Sequence, residues 1–176
     1  MGSNRNVYEI FEEFKACKTK PDRIKVLKSN NTYALRNVLI GTFHPQVEFA
    51  IDEIPPYKIQ ENLPPGMSYG SITQAIPKIY LFMKKHPKLP PGLTPKRRNE
   101  LLIQLLEGLE AKEAEVFANI IRKDQKIKYL TYDLVREAYA GLLPELTKPK
   151  RKLQSKTAAD KKHSQSPQKS APNTQV

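Results

Sequence analysis

The chain has 176 residues, 39% of them hydrophobic, with 30 Lys and Arg against 18 Asp and Glu, a net charge of +12 and a pI near 9.7. That length suits one domain with a real core plus a tail. The charge is uneven: residues 147–176 carry 8 of the basic side chains and one of the acids, so the tail is +7 and the body only +5. Cys17 is alone, which excludes an intramolecular disulfide and any Cys-based zinc site and fits a reducing compartment. The opening MGSNRNVYEIFEEF lacks the apolar core of a signal peptide, and no stretch approaches a membrane span. The expectation is a soluble intracellular protein.

Val7, Tyr8, Phe11 and Phe14 recur at helical spacing, which predicts a first helix ending near Cys17. Pro21 suits the first turn of a second, short helix carrying Ile24 and Leu27. Asn31 or Thr32 caps a third, with Leu35, Val38 and Leu39 inward, ending before His44-Pro45. Residues 45–70 hold Pro55, Pro56, Pro64, Pro65, Gly66 and Gly70, and read as an extended strap. Ser71 starts a helix toward Lys85 that Pro77 should kink or delay. Thr94-Pro95 is a strong helix start, and Leu101, Leu102, Leu105, Leu106 and Leu109 make the next helix the expected centre of the core. From Glu110 the chain reads as one more helix, a lysine-rich loop (Arg122, Lys123, Lys126, Lys128), and a Thr131-capped helix closed by Gly141 and Pro144.

The expected fold is therefore all-α, a compact multi-helix domain of six or seven helices over residues 1–146. A basic tail occupies 147–176, and its Lys, Ser, Gln, Pro and Ala composition predicts disorder.

Searches for chemistry find nothing to assemble. No Gly-rich phosphate loop ends in Gly-Lys-Ser or Gly-Lys-Thr, and His44, His86 and His163 lie far apart in sequence. Glu107, Glu110, Glu113 and Glu115 follow helical spacing and read as a solvated face pairing with Lys112. Cys17 on an apolar face reads as a core filler. The chain is thus expected to be no enzyme and to use no cofactor, metal or small-molecule substrate.

Basic clusters remain: Lys84-Lys85, then Lys96-Arg97-Arg98, flanking a proline-rich connection; Arg122 to Lys128; and Lys150-Arg151-Lys152 in the tail. Cations at helix ends, beside N–H groups at the capped starts Thr94 and Thr131, suit phosphate contact without base readout. Any one of these lysines is also ordinary as a solvated surface residue. Tyr129 and Tyr132 are read first as core or rim.

The stretch IIRKDQKIKYLTYDLVREAYAGLLPEL resembles the N-terminal DNA-binding domain of ATP-dependent DNA ligases, especially the small ligases of T-even-type phages. The opening EIFEEFKACKTKPDRIKVLKSN is similar too, and the likeness spans roughly residues 7–146. The whole chain looks closer still to a family of small T-even-type myovirus proteins with no established activity, through "ALRNVLIGTFHPQVEF", "PPYK", "RNELLIQLLEGLEAKEAEVF" and "LTYDLVREAYAGLLP". The chain departs from the ligases in having no Lys-x-Asp-Gly motif for adenylation. Lys128-Tyr129-Leu130 also stands where the ligase loop usually carries glycine.

The ligase resemblance implies Lys123, Lys126, Lys128 and Thr131 as leading contacts, with Arg122 positioning or paired to Asp124. The leading expectation is a non-catalytic phage protein that binds duplex DNA without sequence preference, in the host cytoplasm and near the nucleoid. The rival expectation is a helical adaptor, or a virion component, for which a phage or host replication or transcription protein is the partner and the basic tail merely sticky.

Overall fold

A computed structural model of the chain describes residues 5–59, 64 and 67–146. The tail cluster Lys150, Arg151 and Lys152, and the disorder expected of the tail, lie outside the described residues. Among the described residues there are seven α-helices, one 3-10 helix and no strand longer than an isolated bridge. The helices are α1 (Val7–Ala16), α2 (Lys20–Ser29), α3 (Tyr33–Phe43), α4 (Ile72–Ala75), α5 (Pro95–Glu107), α6 (Ala111–Ile121) and α7 (Tyr132–Ala138). The 3-10 helix, Ile76–Phe82, comes directly after α4. The all-α expectation holds.

Local chemistry sets the helix starts. The Thr19 hydroxyl oxygen accepts from Asp22 N–H, Thr32 from Leu35, Thr94 from Arg97 and Thr131 from Leu134, each satisfying a donor that the first helical turn leaves open. Pro21 and Pro95 sit in first turns, where their missing N–H is harmless. Pro77 acts differently. It removes a donor that continuing α4 would need, and the chain tightens into the 3-10 form instead. The expected helix to Lys85 is thus one turn of α-helix and a 3-10 extension.

The core's centre is α6, not α5. Eight α6 residues are buried, from Glu113 to Ile121, and the helix packs against α1, α3, α4 and α5. Its short, mostly small and β-branched side chains let neighbours approach from every side. α5 buries only Leu102 and Leu106 within its length, leaving Leu101 and Leu105 half-buried. Gly41 of α3 lies so close to α6 that a Cβ built on it would stand 2.6 Å from Ile120 Cγ2. This glycine sets the α3–α6 spacing.

The strap is anchored. Phe49 and Ile51 are buried, and Ala50 N–H to Phe82 O (2.8 Å) with Lys84 N–H to Glu48 O (2.9 Å) pairs it antiparallel with the end of the 3-10 helix. Farther on, Lys58 N–H reaches the Glu107 carboxylate at 3.1 Å. At the other end of the domain, the buried Tyr139 hydroxyl donates to Leu27 O and locks α7 to α2.

Candidate nucleic-acid interface

The loop from Arg122 to Leu130 is built by its own backbone and three inward side chains. α6 ends with Lys123 in left-handed backbone (φ 60°), while Lys123 N–H bonds Ile120 O and Asp124 N–H bonds Asn119 O. That is the usual helix stop with a lysine where glycine is commonest. Asp124 Oδ1 then accepts from Lys126 N–H at 2.8 Å. Gln125 is 5% exposed and donates to Thr42 Oγ1 and Val116 O, stitching the loop to α3 and α6. Leu130 is buried as well. The loop is therefore held in place along its length.

The backbone is strained at regular intervals. Lys123, Lys126 and Tyr129 have φ of 60°, 54° and 69°, three left-handed residues without a glycine among them. Each costs about 1 kcal/mol relative to a residue free of Cβ. Tyr129 occupies one such position, within Lys128-Tyr129-Leu130.

Tyr129 is 51% exposed, and the Arg23 guanidinium lies 4.0 Å from its ring centroid. The Lys128 ammonium lies 4.9 Å from the same centroid. Arg23 is fixed by a second set of contacts: its Nη2 donates to Cys17 O at 2.8 Å and Lys18 O at 3.4 Å, at the turn between α1 and α2. Two cations thus share one aromatic ring, whose negative face offsets part of their mutual repulsion. Lys126 is exposed beside them in sequence. This corner presents ordered positive charge.

Lys123 departs from expectation. Its ammonium turns inward and donates to Gly41 O at 3.0 Å and His44 O at 2.8 Å, at the carbonyl end of α3. A cation there complements the helix dipole. Burial pushes its pKa down to about 8, against a smaller opposing pull from Glu48. A side chain committed to two carbonyls holds α3 to the loop and is not presented as a phosphate contact. For Arg122, expected to be positioning or paired to Asp124, Nη1 donates to Asn119 Oδ1 at 3.0 Å, while Asp124 accepts from Lys126 N–H. The Thr131 oxygen is occupied as the α7 cap. Tyr132 donates its hydroxyl to Pro144 O.

The second cluster forms where the 3-10 helix ends and α5 begins. Arg98 Nε donates to Leu81 O at 3.0 Å, which brings Arg98 beside the 3-10 helix. Lys84 pairs with Glu48 at 3.6 Å and Arg97 with Glu100 at 3.1 Å. Lys85 and Lys96 are exposed. Carboxylates thus counter Lys84 and Arg97 and a carbonyl holds Arg98, while Lys85 and Lys96 keep their charge in solvent.

Sequence reading missed Arg23 and misjudged two polar groups. The TKPDR segment announced a helix start, but the contact with Tyr129 joins residues more than a hundred positions apart. Glu113, expected on a solvated face, is 3% exposed with Oε1 lacking a partner. Burial raises its pKa, and a hydrogen bond to Ile72 backbone opposes the rise. Lys112 pairs with Glu12 at 2.7 Å, across to α1, and not with its own helix. Cys17, half-buried, packs against the core as its place on an apolar face suggests, and donates to Glu13 O. Among the described residues no cluster of His, Cys, Asp and Glu is suited to a metal ion, and no helix is long and apolar enough to cross a membrane.

Fold and site together define an all-α domain bearing an ordered, cationic interhelical loop. A family model matches residues 10–129, from α1 to Tyr129 of the loop. The chain belongs to DUF6433, a family of unknown function. No curated protein matches it.

Proposed function

We propose that this protein is a non-catalytic duplex-DNA-binding protein that grips the phosphate backbone without reading sequence. The observation that carries the reading is the Arg23–Tyr129–Lys128 stack on a loop fixed by Gln125 and Lys123. Holding cations in place before binding lowers the ordering cost that flexible lysines incur. Left-handed backbone at an aromatic residue is maintained against its strain, a pattern that points to use of the corner. Arg23, Lys126 and Lys128 are the contacting cations in this reading. Lys84, Lys85, Lys96, Arg97 and Arg98 contribute at the margin, and the basic tail adds nonspecific attraction.

The likeness of residues 110–146 to the DNA-gripping helix pair of phage ATP-dependent ligases supports the same reading, and the similarity to small T-even-type myovirus proteins supports a phage origin. On that basis the protein acts in the infected host's cytoplasm, near DNA. Without an adenylation lysine motif, it binds and does not join strands. A gel-shift series on a random-sequence duplex tests this: affinity should fall steeply with rising salt and vary little with sequence. No binding at low salt contradicts it. Deleting residues 147–176 should weaken binding without abolishing it; complete loss would assign the attraction to the tail and favour an adaptor role for the body.

A further inference from the structure

A cavity of about 310 Å³ lies between α5 and the α4/3-10 segment, far in character from the cationic loop. Its apolar wall includes Leu81, Leu101, Leu105 and Leu109. Its origin is visible in the sequence. Pro77 converts the segment into a 3-10 helix, which is narrower than an α-helix and has side chains three residues apart eclipsed. Leu102 and Leu106, the inner stripe of α5, are buried, and the second stripe, Leu101 and Leu105, is left half-open. Tyr69, on the cavity's edge, is 86% exposed, and Met67 just before it is exposed too. Large apolar side chains held in water beside an apolar cavity mark a surface for a partner.

We propose that this groove docks a short amphipathic peptide segment of another protein, one that carries bulky apolar anchors flanked by carboxylates. Size argues for side-chain anchors: the cavity stands at the lower limit of ligand pockets, roughly 300 Å³, and accommodates one or two large side chains. Charge argues for the carboxylates. Lys78 is exposed on the cavity rim, and Arg98 is bonded to Leu81, which forms the wall at one end. Lys78 is the one charged side chain among the described residues lining the groove; Glu107 and Glu100 are not in that lining, and Glu100 is paired with Arg97. Gln74 and Gln104 line the groove and supply amides for a peptide backbone. The proposal is independent of DNA binding.

The test uses the full chain and a fluorescein-labelled synthetic peptide of Leu and Phe set among Glu in helical register, with a Lys-for-Glu counterpart, followed by anisotropy without DNA. The acidic peptide should bind saturably and the basic one should not. Lys78→Glu, at an exposed position, should weaken binding about fivefold, the scale of one rim charge. Tyr69→Ala should weaken it as well, and Leu105→Glu should abolish it with the helical circular dichroism retained. If Leu105→Glu unfolds the domain, Lys78→Glu and Tyr69→Ala decide alone. Equal binding of both peptides, no binding of the acidic one, or binding indifferent to Lys78 and Tyr69 overturns the proposal.

Discussion

The two folded basic clusters have similar sequence texture and different structural fates. Around residues 84–98 the cations are partly engaged: Lys84 has Glu48, Arg97 has Glu100, Arg98 is held by the Leu81 carbonyl, and Lys85 and Lys96 stand singly in solvent. Around the α6–α7 loop, Arg23 and Lys128 are instead gathered on the ring of Tyr129. Exposed ion pairs contribute little to stability and leave little net field. Cations ordered by an aromatic ring keep their field. Counting lysines locates clusters, while their partners decide which cluster is available to a polyanion.

The contrast depends on the loop being fixed to the core, and the strongest way to break it is at the α3–α6 seam. Gly41→Ala should destabilise the domain by about 1–3 kcal/mol, because Ile120 is a buried β-branched side chain with no room to move aside. Urea unfolding measures this, and DNA affinity should fall with it through displacement of the loop.

Next in size is Tyr129→Gly. It relieves left-handed strain worth about 1 kcal/mol but frees Arg23, so stability should change little while DNA affinity drops. Lys126→Gly relieves the same kind of strain with no stack to lose, and should raise stability by about 1 kcal/mol.

A pH series probes Lys123. Its folded pKa, about 8, lies below the ordinary 10.5, so the unfolded chain binds more protons between those values and stability should rise with pH across that window. Tyr139 works oppositely: its pKa is raised to about 12 by burial, and stability should fall as pH climbs from 10 toward 12. The rise between pH 8 and 10 should vanish in Lys123→Met, read from urea midpoints. The smallest effect belongs to the other cluster: Lys84→Ala should shift stability by less than about 0.5 kcal/mol.

Much of the fold was legible because it is local. Thr32, Thr94 and Thr131 marked starts that their hydroxyls make, and Pro77 marked the break that converts α4 to 3-10. The core's centre was misread since α5 looked richest in leucine, whereas burial follows packing on all sides and favours the smaller residues of α6. The loop was legible as basic but not as ordered. Nothing local reveals that Lys123 will find the carbonyls of α3, or that Arg23 will lie on Tyr129.

The central claim is that the stacked cations, and not the partnered Lys84, Arg97 and Arg98, engage phosphate. Its most direct test is the salt dependence of duplex binding by the chain with Arg23, Lys126 and Lys128 replaced by Ala, against the chain with Lys84, Arg97 and Arg98 replaced. Each phosphate contact contributes about 0.9 to the slope of log affinity against log salt. The account predicts that the first triple loses about two to three units of slope and the second less than about one. Equal losses, or a slope unchanged by the first triple, would contradict it.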